Sequence, residues 1–131
     1  MSSVQTKASS SVGSWTTLAS GLAYEPFGAV KAMTLGNGLA VTNGWSDPGS
    51  GSGAGDGRLA SRRLYRSSDN ASLSDLAYSY DADGNIASIA DQVNASGSVL
   101  YGYDSMGRLT LTAVDGGGAG AQSYSSARDA F

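Results

Sequence analysis

The acidic side chains are the first place to look for chemistry. Asp81, Asp83 and Asn85 have the D-x-D-x-N spacing that opens a calcium-binding loop. Such a loop also needs glycine at its sixth position and an acid at its twelfth, and here those positions hold Ile86 and Gln92. The same register recurs at Asp104, where Ser105 and Met106 replace the ligands. Turn formation therefore explains these carboxylates better than metal binding does. The chain has no His and no Cys. That removes Ser-His-Asp and Cys-His catalysis, imidazole acid–base work and thiolate chemistry. The Gly-rich run at 49–57 has no Lys-Ser/Thr after it and no helix to follow, so it is not a phosphate loop. Asn70-Ala71-Ser72 and Asn94-Ala95-Ser96 are formal glycosylation acceptors, relevant only in a eukaryotic secretory route. The carboxylates, serines and tyrosines that remain form no catalytic set. The expectation is a non-enzymatic chain with no catalytic residues, cofactor or metal.

Composition points the same way. The 131 residues suit at most one ordinary domain. With 19 Gly but only 2 Phe, 2 Trp and 3 Met, any core is shallow. High Gly and Ser with few Pro suggests a loop-rich β protein. The net charge of −3 and the absence of a basic stripe argue against nucleic-acid binding. Residues Met1–Lys7 lack the apolar run of a signal peptide. No apolar stretch approaches the ~18 residues of a membrane span.

The elements that must position these residues are written as a repeat. Tyr78, Tyr80 and Asp81 lead into Gly84 and Asn85; Tyr101, Tyr103 and Asp104 lead into Gly107 and Arg108. Tyr80 and Tyr103 are 23 residues apart, a period typical of repeat architectures. Tyr78 and Tyr80 share a strand face with Leu76, as Tyr101 and Tyr103 do with Val99. Asp81-Ala82-Asp83-Gly84 suits a type I turn whose last residue takes positive φ. Such a turn brings a strand back on itself with a bulge. Ile86, Ser88 and Ala90 then alternate with Ala87 and Ile89, and Leu109 and Leu111 with Thr110 and Thr112. Each copy reads as a hairpin of aromatic strand, Asp-to-Gly turn and aliphatic strand.

The segments YSYDADGNIASI and YGYDSMGRLTLT resemble YD repeats of the RHS family. The resemblance extends from Leu22 to about Val114 and is strongest in the second half. Tyr24-Glu25-Pro26-Phe27-Gly28 is similar to a YxPFG variant, with Glu25 where Asp is usual. Asn37-Gly38 and Asn43-Gly44 are hairpin signals. Trp45 falls 21 residues after Tyr24, in the next aromatic slot. There the motif breaks, and Gly57-Arg58-Leu59 resumes it after a Gly/Ser-rich insertion at 48–56. Arg58, Arg62, Arg63 and Arg66 read as an exposed basic edge that opposes aggregation. Tyr124 stands where a fifth aromatic is due, without the Asp and Gly.

These features give an all-β architecture of successive antiparallel hairpins in a spiral sheet. Residues 1–14 are expected to be a flexible lead-in, 15–114 the hairpin region, and 115–131 a Gly-rich tail with a degenerate repeat. The tyrosines are expected to stack on one another between adjacent hairpins. The resemblance implies a structural role for the motif positions. It also implies a bacterial secreted or surface-delivered protein whose large relatives close a shell around a toxin cargo. Four or five hairpins are too few to enclose a cavity, so a fragment, truncated product or short orphan member is expected. Its expected partners are other YD repeats, self-association through sheet edges, and a toxin cargo. Two other readings stand beside the scaffold: a carbohydrate or cell-surface binding module using the tyrosine face, and a remnant without activity of its own.

Overall fold

The computed structural model describes residues 3–7, 15–46, 56–115 and 123–125. The chain divides into two compact units, Met1–Ser74 and Asp75–Phe131, and the division falls inside the strand Ser72–Tyr80. In the first unit the strands are β1 (Ser3–Lys7), β2 (Trp15–Tyr24), β3 (Val30–Leu35), β4 (Leu39–Trp45) and β5 (Leu59–Arg66). Each is antiparallel to the next in sequence. The second unit repeats the plan with β6 (Ser72–Tyr80), β7 (Ile86–Asp91), β8 (Ser98–Tyr103), β9 (Leu109–Asp115) and β10 (Ser123–Ser125). A single 3-10 turn, Ala95–Gly97, precedes β8. The all-β expectation is borne out.

Alternating apolar and polar residues make these segments strands, and the core they build is thin. Among the described residues only Ala40 and Val41 are buried, at 5% and 4% exposure, and no side chain is wholly so. As neighbours on β4 they point to opposite faces, so the sheet is shielded on both sides there. Ala40 lies opposite Thr34 and Tyr65, and Val41 lies opposite Met33 and Leu64.

Several expectations are corrected. The lead-in contains a strand, since Ser3–Lys7 pairs with β2 from Ser3↔Ser20 to Lys7↔Trp15. The tail likewise supplies β10, whose Tyr124 lies opposite Thr112. The free donors and acceptors of a sheet edge account for both recruitments. Residues 8–14, 116–122 and 126–131 lie outside the described residues.

Of the two Asn-Gly signals, Asn37-Gly38 makes the β3–β4 turn, with the Gly38 N–H donating to the Leu35 carbonyl at 3.0 Å. Asn43-Gly44 does not turn. It lies within β4, opposite Arg62 and Ser61. Tertiary packing overrides the local signal there. The Asn43 amide donates to the Val30 carbonyl at 2.9 Å, and a Cβ on Gly44 would stand 2.4 Å from Ser61 Oγ.

The simple alternation expected after each turn is also broken. Ile89 lies opposite Tyr78, yet Ile86 lies opposite Tyr80, so Ala87 is an extra residue in β7. Both isoleucines therefore share the tyrosine face. In the basic stretch of β5, Arg62 and Arg66 are exposed, as expected, while Arg63 is half-buried and engaged. Arg63 donates to Ser72 Oγ at 2.7 Å and to the Asn70 carbonyl at 2.8 Å, and it lies over the Tyr65 ring. Arg66 donates to Asp69 at 2.5 Å.

Two glycines separate conformational from steric constraint. Gly107 has φ +72° with open space around its missing Cβ, so Gly107→Ala should cost about 1 kcal/mol through the left-handed backbone alone. A Cβ on Gly36 would stand 2.0 Å from the Thr17 backbone carbonyl, which cannot move without disturbing β2. Urea unfolding should therefore show a larger loss for Gly36→Ala than for Gly107→Ala. Equal losses would contradict the close approach.

Candidate functional site

The residues singled out by the motif come together at four hairpin turns, one after each terminal aromatic: Tyr24, Trp45, Tyr80 and Tyr103. At the third, the Asp81 N–H donates to the Asn85 carbonyl at 2.9 Å and the Gly84 N–H donates back to the Asp81 carbonyl at 3.1 Å. The fourth repeats this, with Asp104 to Arg108 at 2.9 Å and Gly107 to Asp104 at 2.9 Å. The first has Glu25 to Ala29 at 2.8 Å and Gly28 to Glu25 at 2.9 Å. In the second, the Ser46 N–H reaches the Arg58 carbonyl at 2.8 Å. Gly28, Gly57, Gly84 and Gly107 all take positive φ, between 71° and 91°. Only glycine does so without strain.

The same register shift follows every one of these turns. Tyr24 lies opposite Val30, Trp45 opposite Leu59, Tyr80 opposite Ile86 and Tyr103 opposite Leu109. In each case the next residue of the outgoing strand is extra: Lys31, Ala60, Ala87 and Thr110. A bulge of this kind bends its strand and sharpens the local twist.

The carboxylates serve the turns. Asp81 Oδ1 accepts the N–H groups of Asp83 at 3.0 Å and Asn85 at 2.8 Å, and Oδ2 accepts the Asn85 amide at 3.0 Å. Asp104 Oδ1 accepts the N–H groups of Met106 and Arg108, each at 2.9 Å, and Oδ2 accepts Arg108 Nε at 2.7 Å. Oxygens that a cation would need already accept from donors of the same turn. The described residues hold no acidic group suited to a metal ion. The Asn85 amide is the main influence holding Asp81 below the ordinary carboxylate range, and the Arg108 N–H is the main one at Asp104. Glu25 is longer by a methylene and instead meets Lys31 Nζ at 3.2 Å.

Across the paired strands the tyrosines of the third and fourth hairpins lie opposite aliphatic and polar residues. Directly opposite Tyr78 and Tyr101 lie Ile89 and Thr112. The link between successive hairpins is a ring tip on a carbonyl. Trp45 Nε1 donates to the Val30 carbonyl at 3.1 Å, and Tyr103 Oη donates to the Ile86 carbonyl at 3.1 Å. Val30 and Ile86 hold the same place, as first residue of the strand after the preceding turn. Phe27 adds an edge-to-face contact with Trp45, ring centres 5.9 Å apart at 83°. The carbonyl acceptors could not be read from the sequence, because backbone carbonyls carry no residue signature. Ser46 and Asp56 were also missed as turn residues. An Asp immediately before Gly57-Arg58 was the signal available for the second.

Residues 80–119, a little under a third of the chain, match the RHS Repeat family. The resemblance read from the YD motifs is borne out over that stretch. Among solved structures, the chain is similar to a Photorhabdus luminescens Tc holotoxin pore bearing a substituted TccC3, at 23% identity and a TM-score of 0.67 over 79% of the chain. It is also similar to TcdB2-TccC3-TEV, at 23% identity and TM-score 0.68 over 81%. A third likeness is to TcdB2-TccC3-Cdc42, at 21% identity and TM-score 0.68 over 84%. The chain spans about 5% of the length of each of these chains. At such identities the likeness is one of fold. No curated protein matches in sequence.

Two measurements check the turn and the link. Asp81 and Asp104 are held low when folded, so they contribute stability above the free carboxylate value near 4. That contribution is lost as pH falls through the lower folded values. The melting temperature should therefore hold down to about pH 5 and then decline through pH 4 and below. The decline should be shallower in the double variant Asp81→Asn/Asp104→Asn; an equally steep fall would show that these groups are not its source. Tyr103→Phe keeps the ring and loses the bond to Ile86, and should cost about 1 kcal/mol in urea unfolding.

Proposed function

We propose that this chain is a run of β-hairpin scaffold, part of an RHS-type wall that encloses a toxin or effector for delivery, with no catalysis of its own. The closing geometry shared by four hairpins supports this reading. Its polar groups are engaged in holding the turns, and none is left arranged for chemistry. The fold likeness to chains of Tc toxin complexes supports it further. Since the chain spans about 5% of those chains, enclosure would be the work of many such hairpins. The partners implied are further repeats joined at sheet edges, and a cargo on one face of the wall.

The carbohydrate-binding reading has less behind it. A sugar site needs aromatic faces with polar groups free beside them, whereas Trp45 and Tyr103 direct their donors into the preceding hairpin. A glycan array with the whole chain should be silent; saturable binding lost on Tyr101→Ala would favour the sugar reading instead.

The scaffold proposal is tested on the DNA flanking the reading frame and on the product it encodes. Further copies of Y-x-Y-D-x-x-G should continue in frame. A segment beyond them should resist protease until denaturant opens the wall. A frame without further copies, or such a segment cut at once under native conditions, would overturn enclosure.

A further inference from the structure

Asn-Gly is a chemically labile pair, and the chain contains it twice, at Asn37-Gly38 and Asn43-Gly44. Once its proton is lost to base in the solvent, the glycine nitrogen can attack the asparagine Cγ. A C–N bond forms, the Cγ–Nδ2 bond breaks and ammonia leaves. Water then opens the five-membered imide at either carbonyl, giving aspartate or its β-linked isomer. Glycine favours the attack because no side chain shields its nitrogen. Asn70, Asn85 and Asn94 precede Ala, Ile and Ala, whose side chains hinder it. The attack also needs a free glycine N–H and room for the asparagine backbone to rotate.

The fold treats the two pairs differently. Asn37 and Gly38 are exposed at a turn, where the Gly38 N–H donates to the Leu35 carbonyl at 3.0 Å. An exposed turn of this kind opens locally at little cost. Conversion there is also harmless. Asn37 accepts the Leu39 N–H through Oδ1 at 3.2 Å, and aspartate keeps that oxygen. Asn43 and Gly44 instead lie half-buried within β4, opposite Arg62 and Ser61 of β5, and β4 is paired with β3 on its other side. Freeing them means parting strands. Each is held there by a separate requirement. Asn43 Nδ2 donates to the Val30 carbonyl at 2.9 Å, the same carbonyl that takes Trp45 Nε1, and Gly44 leaves the room that Ser61 Oγ occupies. A labile pair thus stands inside a strand because packing demands each half of it.

Conversion at Asn43 is not harmless. It replaces the amide donor with an oxygen, which sets acceptor against acceptor at the Val30 carbonyl. Oδ1 is buried and has no hydrogen-bond partner among the described residues, so the new charge finds no donor there either. The β-linked product adds a backbone carbon to a strand paired on both sides, and register tolerates no such addition. We propose that Asn43-Gly44 is a modification site gated by unfolding: protected while β4 is paired, converted once β4 is free, and after conversion a bar to refolding. The site does not depend on what the sheet encloses.

The test ages the whole chain in mildly alkaline buffer, with and without denaturing guanidinium chloride, and follows each asparagine by peptide mass mapping. In buffer, Asn43 should convert at least about tenfold more slowly than Asn37, because its conversion waits on the opening of paired strands. In denaturant the two should convert at similar rates. The consequence is read in the variant Asn37→Asp, which removes the turn site and should unfold in urea close to the parent chain. Aged in denaturant and returned to buffer, this variant should regain its β-sheet circular dichroism only in the fraction that keeps Asn43. Asn43→Asp, made outright, should lower the urea midpoint or abolish folding. The proposal is overturned if Asn43 converts in buffer as fast as Asn37, if chains converted at Asn43 refold as fully as unconverted ones, or if Asn43→Asp unfolds like the parent.

Discussion

The structure depends on how each hairpin is closed. An N–H immediately after the strand-ending aromatic donates to the carbonyl of the residue just before the returning strand, and a glycine with positive φ makes the return possible. In the third and fourth turns a carboxylate accepts the donors that the tight bend would leave bare. Unpaired backbone donors in so small a turn would be costly, and the aspartate places an acceptor among them. This closure also sets the register. The aromatic is held opposite the first residue after the turn, so the second has no partner and becomes the bulge. One local constraint thus governs turn, pairing and strand twist.

Hairpins closed in this way can build a sheet with very little core. Only Ala40 and Val41 are buried among the described residues, so a conventional core contributes little. Stability comes from strand pairing between neighbours in sequence and from the aromatic tips that bond one hairpin to the one before. Trp45 reaches back to Val30 and Tyr103 to Ile86 with the same bond length, although one donor is an indole and the other a phenol. The slot selects for a flat ring with a hydrogen donor at its far end. Phe27 lacks that donor and sits within a turn, where it contributes its edge to Trp45. Stability carried by nearest-neighbour contacts is what allows such units to be multiplied, since each added hairpin needs only the one before it.

Much of the fold was legible in the residues themselves. Alternating side chains gave the strands, the Asp-to-Gly spacing gave the turns, and the recurrence of Tyr80 and Tyr103 gave the repeat. The candidate positions Tyr24, Phe27, Gly28, Trp45, Gly57 and Arg58, together with Tyr78, Tyr80, Asp81, Gly84 and Asn85, and Tyr101, Tyr103, Asp104, Gly107 and Arg108, lie at the turns or on the strands that end in them. Among the matters not legible were the strand at Ser3–Lys7, the in-strand fate of Asn43-Gly44, and the part played by Asp56. In each, the deciding partner is distant in sequence. Ser3–Lys7 is drawn into the sheet by β2, Asn43 is held by the Val30 carbonyl, and Asp56 is set by Ser46 across the inserted segment.

The division between the two sources of information is physical. Side-chain type fixes local conformational preference, so glycine with positive φ, aspartate at a turn and β-formers in alternation could be read one residue at a time. Backbone carbonyls have no side-chain identity, and strand edges accept whatever segment can reach them. Which carbonyl takes the tip of Trp45 or Tyr103, and which polar stretch becomes an edge strand, was therefore decided only when the chain had folded and brought those groups within hydrogen-bonding distance.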